Sequence, residues 1–357
     1  MATAKKLPSG RWRCIIYIGK DENGKRKYKS ITGDTKKEAE YAALEYANNA
    51  HIQAENANKL TFAQAAAAYV AQKDAVLSPS TVKEYRRLVK RGFNHFSDLF
   101  VNDIAQTEIN DLVNSWAAEG LSPKTICNRH GFVSAVLGAY NPSLSIHTKL
   151  PQKIKTDFYI PDAEQIQRIY TFVNGTDFEL PFLLTSQLGL RSSEIAGLQV
   201  QHIDFKNNTV TISQAMVAAE NGTAIKPPKS FAGNREIPFG ETVAAVLKKH
   251  CADKPPSDFV YPCNSNIITK RWQHILQKND EQHFNFYALR HFFASQALLK
   301  GIPQRYIAEL MGHSSEKMIE TVYQHTFKNA KQNFANMMAK NSDSLLKKHQ
   351  NATQNAT

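Results

Sequence analysis

Apolar positions change period along the chain, and each change marks an element. Over residues 12–18, Trp12, Cys14, Ile16 and Ile18 alternate with Arg13, Ile15 and Tyr17, the period of a strand with one buried face. "DENGK" (21–25) supplies turn chemistry, and "KRKYKSI" reads as the returning strand of a hairpin. "DTKKEAEYAALEYANNAHIQA" reads as a helix capped by Asp34 or Thr35, so the first unit is a small sheet backed by one helix. "NANKL" (56–60) reads as a linker. Four helical segments follow. The first is capped by Thr61, the second places Val82, Tyr85, Leu88 and Val89 on one face, and the last opens at Ser122–Pro123.

Residues 141–160 carry two prolines and little periodicity and read as an extended linker. From residue 158 to about 340 the pattern is mixed. Helices come first, then strands in "HIDFKNNTVTISQAMV" and "NREIPF", then helices again; the polar tail 341–357 reads as disordered. The expected architecture is a multidomain α+β protein: a sheet-plus-helix domain at 1–55, an all-helical domain at 61–142 and a mainly helical domain with a small sheet at 158–340.

Charge then narrows the partner. The net charge is +12, and residues 1–37 hold eleven Lys or Arg against Asp21, Glu22 and Asp34. That excess favours a polyanion, and nucleic acid fits better than a membrane because no basic amphipathic anchor and no spanning apolar run is present. Arg11, Arg13, Lys25, Arg26, Lys27 and Lys29 in the hairpin, and Lys83, Arg86, Arg87 and Lys90 on the second helix of the helical region, are the candidate DNA contacts. Cys14, Cys127, Cys251 and Cys263 lie far apart with no CxxC pair. This suggests a reducing compartment, with neither a disulfide framework nor a structural zinc site.

Candidate chemistry lies in the last domain. "LGLRSSEIAGL" sets Arg191 in an apolar stretch, where an arginine is costly to bury unless an anion meets it; Glu194 is the local acid. Lys229 precedes the glycine-containing turn of "PPKSFAGNREIPF", as a lysine at a hairpin tip. "FNFYALRHFFASQALLKG" sets Arg290 and His291 at the start of an apolar helix. "ELMGHSSEKMIETVYQHTF" puts His313 in a turn between two helices, with Tyr323 beyond it. No carboxylate cluster suited to magnesium and no phosphate-cradling glycine loop accompanies them, and His291, His313 and His325 lack metal-ligand spacing. Neither a metal nor a cofactor is expected.

In order and spacing these motifs resemble the tyrosine recombinases, the phage-type site-specific integrases. The three domains match that family's arm-binding, core-binding and catalytic modules in order. The resemblance implies a DNA strand transferase working through a 3′-phosphotyrosyl intermediate, integrating and excising a mobile element in the cytoplasm, at the nucleoid, of a bacterial host. Arg191 and Arg290 resemble the arginines that clamp the scissile phosphate, Lys229 the general acid, His313 the histidine that donates to the phosphate, and Tyr323 the nucleophile. Glu194 resembles the acid supporting the first arginine, and His291 a supporting residue behind the second. Tyr287 stands where the family commonly has histidine, which leaves open whether water, His313 or a phosphate oxygen takes the Tyr323 proton. Implied partners are double-stranded DNA at arm-type and core-type sites and, as accessory candidates, an excisionase or a host DNA-bending protein. Two sites of two strands each require four protomers, and "QNFANMMAKNSDSLLKK", with Phe334, Met337 and Met338, is a candidate helix for docking on a neighbour or on its own domain. A type IB topoisomerase and a DNA-binding protein that has lost catalysis are the competing readings.

Overall fold

The computed structural model describes residues 3–20, 26–57, 60–152, 159–228 and 231–313, together with residues 316, 319, 320 and 322. The chain divides into two compact units, residues 1–156 and 157–357.

The first unit opens with a three-stranded antiparallel sheet, β1 (Lys5–Lys6), β2 (Trp12–Lys20) and β3 (Arg26–Gly33), followed by helix α1 (Lys36–Ala57). The alternation read from sequence has its expected consequence. Cys14, with Ala39 and Ala43 of α1, forms a small core against which Trp12, Ile16 and Ile31 pack. Arg13, Ile15 and Tyr17 face the other way, paired with Thr32, Ser30 and Tyr28. Thr35, not Asp34, caps α1: its Oγ1 accepts from the Glu38 N–H at 3.2 Å, and the Glu38 carboxylate returns to the Thr35 N–H at 3.4 Å. The helix runs to Ala57, into the segment expected to be linker. No apolar stripe marks that last stretch, and its alanine, glutamate and glutamine residues are good helix formers.

Helices α2 (Phe62–Lys73), α3 (Pro79–Arg91), α4 (Gln106–Ala118) and α5 (Pro123–Tyr140) close around a second core. Thr61 and Gln64 form the capping box of α2, and Ser122 caps α5 with Pro123 at its first position. Phe62, Phe93, Phe96, Trp116 and Phe132 supply most of the buried ring surface. The segment after α5 is irregular as expected, yet its first part is not a free linker. Asn141 and Ser145 are buried, Leu144, Ile146 and Leu150 pack on the same core, and the Gln106 side chain bonds the His147 N–H and the Thr148 hydroxyl.

The second unit contains α6 (Ala163–Val173), α7 (Glu179–Ser186), α8 (Ser192–Gly197), the short strands β4 (Ile203–Asp204) and β5 (Thr209–Ile212), the hairpin β6 (Ala215–Ala219) and β7 (Gly222–Lys226), then β8 (Arg235–Pro238), α9 (Glu241–Cys251), α10 (Ser265–Lys278), α11 (Ala288–Leu299) and α12 (Gln304–Met311). β4, β5 and β8 form one antiparallel sheet, and β6–β7 a separate two-stranded one. Helix α7 is buried along its whole length, and Trp272 lies among Phe178, Phe182, Phe284 and Phe286 with its indole N–H on the Phe284 carbonyl. The β6–β7 hairpin turns between Ala219 and Gly222. Lys229 lies between β7 and β8, outside the described residues.

Candidate active site

Arg191 is placed by a local device. Gly189 follows α7 with φ +68°, the left-handed region, and a Cβ there would stand 2.7 Å from the Phe293 ring of α11. Only glycine permits both the turn and the close approach. Two residues later Arg191 is the extended N-cap of α8 (φ −80°, ψ 150°), and the Glu194 carboxylate accepts its N–H at 2.9 Å. The same carboxylate accepts from Arg191 Nη1 at 2.6 Å. It is also gripped by a second guanidinium that sequence reasoning missed: Arg235, at the start of β8, donates from Nη1 (3.2 Å) and Nη2 (3.0 Å).

Arg290 enters from the first turn of α11 and is fully buried. It donates to the Gly189 carbonyl, the Met311 carbonyl and, at 2.7 Å, His313 Nε2. A guanidinium only donates, so Nε2 accepts and the ring proton sits on Nδ1. His313 follows Gly312, which ends α12 in the left-handed conformation (φ 64°, ψ 46°), and the His313 N–H returns to the Ala308 carbonyl at 2.9 Å.

The three arginines meet at that turn. Arg235 Nε donates to the Leu310 carbonyl at 2.6 Å, Arg290 to that of Met311, and Arg191 Nη2 to that of Gly312 at 3.2 Å. Three successive carbonyls at the negative end of α12, which have no partner within the helix, are each satisfied by a cation.

The charge balance of the cluster is positive. Burial by itself would raise the Glu194 carboxyl, but Arg235 and then Arg191 hold it down at about 2. Burial, reinforced by Arg191, lowers Arg290 to about 10, so it remains a cation at neutral pH. Burial and the nearby arginines push His313 down to about 3, leaving the imidazole neutral. Among the described residues, three cations therefore face one carboxylate. Arg191 has 31% of its side chain exposed, Arg235 4%, and Arg290 is fully buried. Arg290 Nε and His313 Nδ1 are buried with no hydrogen-bond partner among the described residues. Tyr287 precedes α11 and sets its ring edge-on to His291, centroids 5.0 Å apart, with the Arg290 guanidinium 5.9 Å from the Tyr287 ring. Among the described residues no three His, Cys, Asp or Glu side chains form a metal-binding group.

Of the expected site residues, the fold brings together Arg191, Glu194, Arg290 and His313, with Tyr287 and His291 beside them. Tyr323, like Lys229, lies outside the described residues, as do His325 and residues 331–357.

The expected DNA contacts divide. Arg13 lies on the open face of the first sheet, where it pairs with Lys5, and Arg26 is exposed. Arg11 pairs with Asp34 at 2.9 Å. Lys29 faces the helix side, opposite Ile16, with its ammonium 5.8 Å from the Tyr46 ring, so the basic strand does not present one continuous face. Lys25 and the Lys27 side chain lie outside the described residues. On α3, Lys83 and Lys90 are exposed, Arg87 forks onto Glu84 and Arg86 pairs with Asp74 at 3.2 Å.

The second unit thus holds arginines and a neutral histidine about one turn, and a sheet-plus-helix module and a helical bundle precede it in the chain. The phage integrase family matches residues 161–330, and an arm DNA-binding domain matches residues 4–50. The chain belongs to the phage integrase family, the tyrosine recombinases, enzymes that cut and rejoin DNA strands. It is of the transposon or phage integrase type. A XerC-like tyrosine recombinase of Caldanaerobacter subterraneus subsp. tengcongensis is 25% identical over 90% of this chain and 94% of its own. The integrase of Staphylococcus phage L54a is 26% identical over 65% of this chain and 78% of its own. In fold, the chain is similar to the Tn1549 transposon integrase in complex with a circular intermediate DNA, with a TM-score of 0.66 and 18% identity over 78% of this chain and 100% of that one. Among the described residues no helix is long and apolar enough to cross a membrane.

Proposed function

We propose that Arg191, Arg290 and His313 hold the scissile phosphate of a DNA strand while the Tyr323 hydroxyl attacks phosphorus. The bond to the 5′-oxygen breaks, Lys229 gives that oxygen a proton, and the strand remains as a 3′-phosphotyrosyl ester. A 5′-hydroxyl from the exchanging strand reverses the step, so the bond is kept without a nucleotide cofactor. The observation that carries this reading is the positive cluster itself: two guanidiniums, of Arg191 and Arg290, tied to adjacent carbonyls of the turn that presents His313. Charge developing on the non-bridging oxygens would be met by donors already fixed in place.

A neutral His313 whose Nε2 already accepts from Arg290 is a poor proton acceptor and a good Nδ1–H donor to phosphate. This favours water or a phosphate oxygen as the destination of the Tyr323 proton. Arg13, Arg26 and the open sheet face would meet arm-type sites. Lys83, Lys90 and the cleft of about 730 Å³ lined by Arg87, Arg91 and Arg129 would meet core-type sites. Integration and excision would take four protomers on DNA in the cytoplasm of a bacterial host, with an excisionase or a host DNA-bending protein setting the path between the two kinds of site.

The test is Arg191→Ala on a cognate site. Strand cleavage should be lost while DNA binding is unchanged; cleavage that survives overturns the assignment.

A further inference from the structure

Arg235 has no role in the clamp just described, yet it is among the most completely used side chains of the unit. Four hydrogen bonds leave its guanidinium, and all end inside the protein: two on Glu194, one on the Gly233 carbonyl and one, from Nε, on the Leu310 carbonyl. Four of its five N–H groups are thus spent within the protein, whereas Arg290 keeps its Nε–H without a partner among the described residues. It lies on the inward face of β8 in register with Ile212, alternating with exposed Glu236 and Pro238 and followed by buried Ile237. A strand position of that kind ordinarily carries an aliphatic residue, and a cation there is costly unless its pairing is complete.

The bonds join two parts of the site that are far apart in sequence. One side of the guanidinium holds the carboxylate that orients Arg191; Nε holds the end of α12, just before the turn that carries His313. Packing at that turn is tight: a Cβ on Gly312 would stand 2.7 Å from Arg235 Nη1. We infer that Arg235 is a positioning residue for the strand-transfer reaction, a planar brace that fixes His313 relative to Arg191 by bonding Glu194 and the Leu310 carbonyl at once. The geometry needs a fork. A lysine would keep the charge but is a point donor, and it cannot span a carboxylate and a carbonyl from one rigid plane.

This inference rests on the phosphate-clamp reading, and its test keeps the two separable. Full-length wild type, Arg235→Lys, His313→Ala and the double variant are assayed on nicked cognate DNA at saturating protein. Covalent adduct formation in a single turnover is measured beside core-site affinity and the thermal melt. Displacement of a reacting group by about 1 Å commonly costs about 100-fold in rate, and a loss of that order is expected for Arg235→Lys, with affinity within about threefold of wild type. Because Arg235 acts through His313, the losses should not multiply: the double variant should cleave about as fast as the slower single variant. A role in stability alone predicts multiplying losses that follow the melt.

Should Arg235→Lys fail to fold, Gly312→Ala displaces the same fork without removing its charge and should show the same lack of multiplication with His313→Ala. Cleavage by Arg235→Lys at the wild-type rate, or losses that multiply, overturns the brace and leaves the clamp standing. A wild-type chain that forms no adduct, or a His313→Ala variant that cleaves normally, overturns the clamp, and the brace with it.

Discussion

Replacing Glu194 by glutamine removes the negative charge that Arg191 and Arg235 share while keeping the side chain's size. In the wild-type chain that carboxylate accepts four hydrogen bonds, two from Arg191 and two from Arg235, and its side chain is 7% exposed. Its ionisation lies near 2 in the folded protein, against an ordinary value of 4.5. A depressed carboxylate contributes stability that is full above 4.5 and drains away as pH falls toward 2. At about 1.4 kcal/mol per pH unit, the fall from 4.5 to about 2 corresponds to about 3 kcal/mol at pH 7. That agrees with the ~3–5 kcal/mol typical of breaking a buried ion pair from one side. For a unit of this size the melting temperature should drop by roughly 6–12 °C. Thermal melts of the full chain and Glu194→Gln at pH 7 and at pH 3 test this. The difference between them should be large at pH 7 and less than half as large at pH 3, where the unfolded carboxyl is already protonated. A difference equal at both pH values, or none at pH 7, refutes the reasoning.

Arg290→Lys should lose about 10²–10³-fold in cleavage with near-normal DNA affinity, because an ammonium cannot serve Gly189, Met311 and His313 together; single-turnover assays read this directly. His313, neutral above about pH 3, should contribute no inflection to the cleavage profile between pH 5 and 8. A falling limb near pH 6.5 that vanishes in His313→Gln would contradict the neutral assignment. Gly189→Ala should destabilise the catalytic unit by about 2–4 kcal/mol, from the left-handed backbone plus the clash with Phe293. Gly175→Ala, equally left-handed but in open space, should lose only about 1–2 kcal/mol in the same denaturant titration.

Much of the site was legible because its chemistry is written in residues that are out of place locally. Arg191 and Arg290 interrupt apolar runs, and His313 follows a glycine that ends a helix; each anomaly has its partner in the fold. Arg235 escaped notice although it carried the same signal, since a strict two-residue alternation through "REIPF" sets it on the face of Ile237. The strand is only four residues long, too short for its alternation to be distinctive. The β6–β7 hairpin was missed although Asn221–Gly222 carries its turn chemistry, because each strand is only five residues long and β6 is nearly all apolar, with no polar alternation. Helix α1 outran its expected end for a related reason. Its last turns carry no apolar stripe, so periodicity fell silent where intrinsic helix propensity continued. Lys29 shows the opposite limit, because charge alone does not say which face of a strand a lysine occupies.

The central claim is that a phenolic oxygen seizes a DNA strand beside the arginine-bound turn. The most direct measurement incubates the full chain with nicked cognate DNA, isolates the covalent adduct and maps the modified peptide by mass spectrometry. The account predicts an adduct at Tyr323, on a 3′-phosphate, that is absent in Tyr323→Phe and in Arg290→Ala. An adduct on another residue, a 5′ linkage, or an undiminished yield without Arg290 would contradict it.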